Sequence, residues 1–115
     1  MSLMTPDPES YFRAFVPEQD ELLRGLEDEA RREGIPIVGP VVGELLFILA
    51  RAAAACNILE LGTATGYSTI YLGRACHPAG RVVTLERDED FAARARANLT
   101  HAGLDKLVEV RVGRP

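Results

Sequence analysis

The stretch from Asn57 to Ser68, NILELGTATGYS, constrains the fold more than any other part of this 115-residue chain. A short apolar run holding one acid, Glu60, reads as a strand, and two glycines four residues apart follow it at once. Helical patterning then resumes, predicting a helix over about 67–76. A strand that bends straight into a helix through glycines belongs to a parallel α/β sheet rather than to a hairpin or a bundle. The downstream grammar agrees. HPAG is a turn and RVVTLE a second strand; Asp88 caps EDFAARARANLTHAG, where Phe91, Ala95, Leu99 and Ala102 share a face and Gly103 is the stop. LVEVRV then alternates, with Val108, Val110 and Val112 on one side and Glu109 and Arg111 on the other. Strand–helix–strand–helix–strand with short connections predicts parallel pairing through right-handed crossovers. The first two strands are apolar throughout, as strands covered on both faces should be, and the third alternates like an edge. The expected sheet order is 3-2-1, with NILEL suited to the middle of a sheet.

Upstream, residues 4–16 hold Pro6, Pro8 and the aromatics Tyr11, Phe12 and Phe15, which predicts an arm that docks rather than a free helix. The residues before Met4 read as a vector-derived extension. Pro17 suits a first helical position, with Leu22, Leu26 and Ala30 following at i, i+4 and i+8, acids in the first turn, Arg31 and Arg32 in the last, and Gly34 as the stop. After IPIVGP a second helix carries one apolar stripe, Val42, Leu45, Leu46, Leu49 and Ala53, and its VVGELLFILA segment reads as a core helix. The length predicts one domain over 1–115, with N-terminal arm and helices at 4–56 and a β-α-β-α-β unit at 57–115.

A net charge of −4 and a pI near 5.2 argue against nucleic acid or an anionic membrane as the main partner. No apolar run approaches the roughly 20 residues that span a bilayer, and no secretory signal peptide is evident. Cys56 and Cys76 form no CxxC pair and read as small buried hydrophobes of a reducing cytoplasm. His77 and His101 stand alone near helix ends, without metal-ligand spacing.

The bend defines a candidate site. Gly62 permits the sharp turn, and Gly66 lets a ligand approach the main chain without a Cβ in the way. The helix N-terminus offers free N–H groups to an anion, with Ser68 and Thr69 as further donors. Glu60 sits beneath, able to attract a cationic group. The second strand ends in Glu86, 24 residues after Gly62, where an acid is placed to accept hydrogen bonds from ribose hydroxyls. The glycine pattern is G-x-x-x-G, with Thr63, Ala64 and Thr65 between, so the central glycine of the dinucleotide fingerprint is missing; no lysine follows to make a P-loop.

Taken together, ILELGTATGYSTIYLGRA and GRVVTLERDEDFAARARANLTHAGLDKLVEVRVG resemble the cofactor half of the small S-adenosylmethionine-dependent O-methyltransferases, the catechol and caffeoyl-coenzyme A enzymes and their bacterial relatives. PIVGPVVGELLFILAR resembles the segment before their first strand, so the likeness spans about residues 35–113. It implies a Rossmann-like half-domain with S-adenosylmethionine as cofactor and methyl transfer to a small-molecule hydroxyl. Gly62, Tyr67 and Ser68 would hold the methionine end, with Glu60 beneath it and Pro36 and Val38 flanking it. Glu86 would bind the ribose, Arg87 would lie beside the adenine, and Gly113 would occupy the turn after the third strand. The relatives often carry a small or acidic residue at that turn, where this chain continues with Arg114 and Pro115. Plainer readings stand beside these: Tyr67 packing on the sheet, Val38 in the core, Arg87 merely solvated.

In the resembled family a divalent metal also binds the acceptor oxygen, through acids from later strands that this chain does not contain. Asp88 and Asp90 are explained by capping. The sequence therefore predicts a cofactor pocket without a complete catalytic apparatus. Three readings follow: a shortened methyltransferase, a natural half-length protein that binds the cofactor or a partner without catalysis, or a nucleotide-binding α/β domain of another kind. With the neighbour of NILEL absent, its edge is expected to pair with another chain, giving a homodimer or larger oligomer.

Overall fold

The computed structural model describes residues 7–115; Pro6 and the extension before Met4 lie outside the described residues. The elements run α1 (Pro8–Arg13), α2 (Glu21–Glu33), α3 (Gly39–Ala52), β1 (Asn57–Leu61), α4 (Tyr67–Ala75), β2 (Arg81–Glu86), α5 (Glu89–His101) and β3 (Val108–Val112). The three strands are parallel in the order β1-β2-β3, which is the expected 3-2-1 seen from the other edge.

The register aligns Ile58, Val82 and Val108 in one row and Glu60, Thr84 and Val110 in the next. These side chains share the face that α4 and α5 cover, and Val82 and Thr84 are completely buried there. Both crossover helices fall on this one face. The opposite face carries Leu59 and Leu61, 66% and 59% exposed, beside half-buried Val83 and Leu85. β1 lies at the edge of the sheet as the expected order requires, but the expectation that it is covered on both faces is corrected: among the described residues no element lies over its second side. Apolar composition reported a strand made for burial, but not whether the burying element is part of the chain. In β3, Val108 and Val110 are buried as the alternation predicts, whereas Val112 at the strand end is exposed.

Over the helical face, α2 lays Leu23, Leu26 and Ala30 against the core. The helix starts later than Pro17 suggests. Asp20 is the cap, its Oδ1 accepting from Leu23 N at 3.0 Å while Oδ2 accepts from Arg74 at 2.6 Å. Leu23 takes the most buried place and Leu22 packs partly behind it. Gly34 stops the helix in the left-handed conformation, as expected. Arg94 of α5 then clasps the end of α2 through Glu29 and through Glu33 at 2.8 Å.

Two further expectations change. Helix α3 packs on α4 through Gly43, which faces the ring of Tyr71, but Leu45, Ile48 and Leu49 are each more than half exposed. It is therefore not buried all round: Leu46 is half-buried and Phe47 packs against the core, while the rest of its stripe is exposed. The arm at 4–16 contains α1, a short helix with no buried residue and with Phe12 and Phe15 exposed. Both cysteines are free; Cys76 is buried, and burial pushes its thiol up, whereas Cys56 is exposed, contrary to expectation. His77 and His101 are exposed at helix ends as expected.

Candidate functional site

The bend after β1 is tied to β2 by its own backbone. Gly62 N and Thr63 N both donate to Leu85 O, at 2.8 and 3.2 Å, and Gly66 N donates back to Thr63 O at 2.9 Å. Three residues here have positive φ, Gly62 at 90°, Ala64 at 47° and Gly66 at 93°. The two glycines do different work. A Cβ on Gly62 would meet nothing within 4 Å, so its open side faces empty space. A Cβ on Gly66 would meet Ala95 of α5, with the nearest atom at 3.5 Å. Gly62 thus leaves its main chain open on the groove side, and Gly66 serves the left-handed turn and the packing of α4 on α5.

Gly62 opens onto a crevice with two lobes. The first, about 300 Å³, is lined by Pro36, Ile37, Val38, Gly62, Thr63, Ala64, Tyr67 and Ser68. The second, about 530 Å³, is lined by Ile35, Pro36, Leu61, Gly62, Ala64, Leu85, Glu86, Arg87, Asp88, Phe91, Gly113 and Pro115. Pro36, Gly62 and Ala64 belong to both, so one groove runs from the N-terminus of α4, across the bend, to the ends of β2 and β3. Ligands of open parallel sheets bind at this carboxyl end of the strands.

At the first lobe, α4 starts from Gly66, which offers no capping side chain. The N–H groups of its first turn have no acceptor within the helix and stay available to an anionic group. Ser68 lines the lobe, but its hydroxyl donates inward to Glu60 at 2.6 Å. Glu60 is the centre of a hydroxyl cluster: Thr69 donates to it at 2.5 Å and Thr84 at 2.8 Å. Since Thr84 spends its proton on Glu60, Thr63, 2.6 Å away, donates to Thr84. Glu60 therefore lies behind the groove wall, fixing the strand-to-helix junction with hydroxyls from α4 and β2.

At the second lobe Glu86, 9% exposed, uses both carboxylate oxygens on the backbone. Oε1 accepts from Ala64 N at 2.8 Å and Oε2 from Asp88 N at 2.9 Å. This pins the positive-φ bend to the end of β2, and Glu86 also forms part of the wall of the second lobe. Arg87 and Gly113 line the same lobe, and Gly113 N donates to Glu86 O at 2.9 Å.

Of the residues singled out in the sequence, Pro36, Val38, Gly62, Tyr67 and Ser68 line the first lobe, and Pro36, Gly62, Glu86, Arg87 and Gly113 the second. Glu60 and Gly66 line neither. Sequence reasoning missed Ile35, Ile37, Leu85 and Phe91, and gave Ala64 no role. Phe91 carried a usable signal, three residues after the capping Asp88 and so on the first turn of α5 beside the strand ends. Among the described residues there is no group of three or more His, Cys, Asp or Glu arranged to hold a metal ion, and no helix long and apolar enough to cross a membrane.

Comparison with known proteins gives a consistent set. The protein-family model described as O-methyltransferase matches residues 16–115. A catechol O-methyltransferase of Niastella koreensis is 40% identical over 106 residues, which cover 90% of this chain and 48% of the relative. The crystal structure of a Streptomyces achromogenes O-methyltransferase involved in tomaymycin synthesis, in complex with SAM, superimposes with a TM-score of 0.82 at 42% identity, over 91% of this chain and 48% of that one. A Bacillus cereus O-methyltransferase in complex with SAH gives a TM-score of 0.81 at 40% identity, over 90% and 48%. The chain spans about half the length of these relatives.

Proposed function

The chain belongs to the O-methyltransferase family, and from that premise we propose that it is the S-adenosylmethionine-binding portion of an enzyme that methylates a small-molecule hydroxyl. The observation that carries this reading is the continuous groove, with the free amides of α4 and the open side of Gly62 at one end and the Glu86 carboxylate at the other. One molecule with an amino-acid tail and a ribose matches both ends. Two solved relatives at 40% and 42% identity carry that cofactor or its demethylated product, which supports the same assignment.

In this reading Pro36, Val38, Gly62, Tyr67 and Ser68 enclose the tail, with Glu60 holding the junction beneath them and Gly66 setting the entry of α4. Glu86 accepts from the ribose hydroxyls, and Arg87 and Gly113 flank the adenine. When bound, the cofactor supplies a methyl group on a sulfonium, open to in-line displacement. The contribution of these residues is positional: a tail fixed at α4 and a sugar fixed at Glu86 leave the middle of the ligand one orientation, and such restriction supplies much of the acceleration in a displacement of this kind. The metal of the resembled family has no ligand set among the described residues, and none of these roles depends on one. Residues 57–115 form the binding unit in this reading, and the connection between α2 and α3 before it supplies the wall formed by Pro36, Ile37 and Val38.

The proposal includes self-association through the outer edge of β1, giving a homodimer or larger species; the unpaired edge position and the exposure of Leu59 and Leu61 support it. Free thiols, one of them exposed, support a reducing cytoplasmic setting. Calorimetric titration with S-adenosylhomocysteine, with NAD as control, tests the cofactor: binding of the first alone is expected, and binding of NAD alone overturns the reading. Light scattering tests association, and a strict monomer at high concentration counts against the β1 edge.

A further inference from the structure

Gln19 lies in the connection before α2, and its side chain joins two buried tyrosines of α4. Its Nε2 donates to the hydroxyl of Tyr67 at 2.8 Å and to that of Tyr71 at 2.7 Å. The rings pack edge to face with centroids 5.4 Å apart, and their hydroxyls are 3.4 Å apart. A primary amide carries two protons on one nitrogen, so this single group donates to both phenol oxygens. Tyr67 and Tyr71 are only 2% and 6% exposed, where a phenol without a partner is costly. Gln19 therefore holds both hydroxyl oxygens at one nitrogen, beside the edge-to-face contact of the rings themselves.

Tyr67 is a wall of the first lobe, beside Gly62 and Ser68. Gln19 does not line that lobe. It lines a separate cavity of about 340 Å³ with Tyr71, Arg74 and Glu44. Gln19 thus stands one residue behind the groove and acts on it only through the Tyr67 ring. Neither Gln19 nor Tyr67 lines the lobe at Glu86.

We propose that Gln19 is a positioning residue of the cofactor site, orienting Tyr67 and thereby setting the affinity for the amino-acid tail of the ligand but not for its adenosine. The inference rests on the S-adenosylmethionine reading above. Its test is calorimetric titration of the wild type, Gln19→Met, Tyr67→Phe and the double variant with two probes. S-adenosylhomocysteine has the tail; 5′-methylthioadenosine keeps the adenosine and sulfur and lacks it. Gln19→Met fills the same space without donors. It is expected to weaken S-adenosylhomocysteine by about five- to tenfold, the scale of one lost hydrogen bond, and to leave methylthioadenosine within about twofold. In the Tyr67→Phe background the same change is expected to have a smaller effect, since the hydroxyl it acts through is gone. A residue that merely supports the fold would weaken both probes in parallel, and that result, or no change with either, overturns the inference while the cofactor reading survives. Failure of the wild type to bind either probe overturns both. Should Gln19→Met not fold, Gln19→Asn, one methylene shorter and still a donor, gives the same comparison.

Discussion

Replacement of Glu86 by Gln preserves the shape of the side chain and one carbonyl oxygen, yet it is expected to destabilise the fold as well as the site. The carboxylate accepts from Ala64 N at 2.8 Å and from Asp88 N at 2.9 Å, in a side chain 9% exposed. Hydrogen bonds to a charged acceptor contribute about 1.5–3 kcal/mol each. The Gln carbonyl serves one amide, and its NH₂ group then faces the other N–H, donor against donor. The loss is one such bond with an orphaned donor left behind, about 2–4 kcal/mol in all. At this chain length that lowers the melting temperature by roughly 6–15 °C. Against a typical stability of about 5–15 kcal/mol the variant still folds at room temperature, so binding remains measurable. Glu86→Ala removes both bonds, a loss of about 3–6 kcal/mol, and its failure to bind would not separate a lost ribose contact from a loosened bend. Thermal and urea unfolding followed by circular dichroism, paired with S-adenosylhomocysteine titration, reads both effects for the Gln variant. A Glu86→Gln protein melting within about 2 °C of the wild type would refute the claim that this carboxylate staples the two turns.

The two glycines of the bend give a paired test. Gly62→Val and Gly66→Val share the strain of a left-handed backbone, about 1–2 kcal/mol, but only the second drives a branched side chain toward Ala95. Melting is expected to fall further for Gly66→Val, whereas Gly62→Val fills the groove and abolishes S-adenosylhomocysteine binding; equal stability and equal binding in the two variants would contradict the assignment. Tyr67 supplies a pH dependence. Burial, and then its hydrogen bond with Tyr71, hold the phenol above its ordinary value of 10.0, so the neutral form is favoured in the folded state. Its stabilisation is complete below that value and declines as pH rises past it, where the unfolded chain ionises first. Urea unfolding between about pH 9 and 11 is expected to lose stability more steeply in the wild type than in Tyr67→Phe, and parallel curves would show that the hydroxyl is not held this way.

The sheet and its second crossover were legible because their signals are local. Asp88 caps α5 through Phe91 N at 2.9 Å, and the alternation in LVEVRV marks which side of β3 is buried. The start of α2 was not: Pro17 read as its first position, whereas Asp20 caps it with the help of Arg74, 54 residues away. The division of labour between Gly62 and Gly66 was hidden for a similar reason. Which glycine faces a groove and which faces α5 depends on where α5 comes to rest. The reading of Glu60 beneath the bend did not include the three hydroxyls, from Ser68, Thr69 and Thr84, that donate to it, because they are brought together by α4 and β2. The exposure of α3 and of the second side of β1 has no sequence signature at all. The stripe with Val42, Leu45 and Leu49, all exposed, announces that it is suited to contact and is silent about what provides it.

Leu61 and Leu85 pair across β1 and β2 on the uncovered side of the sheet, and both also wall the lobe beside Glu86. The bare face and the ligand groove therefore have two side chains in common. If the second chain proposed above covers that face, it touches two walls of the groove, and any coupling between the two occupants is reciprocal: each then changes the affinity of the other by the same factor. On the proposed reading, such coupling is expected to displace the midpoint of a dilution series run with S-adenosylhomocysteine from that of one run without it, and coinciding midpoints would show the face and the groove to be independent.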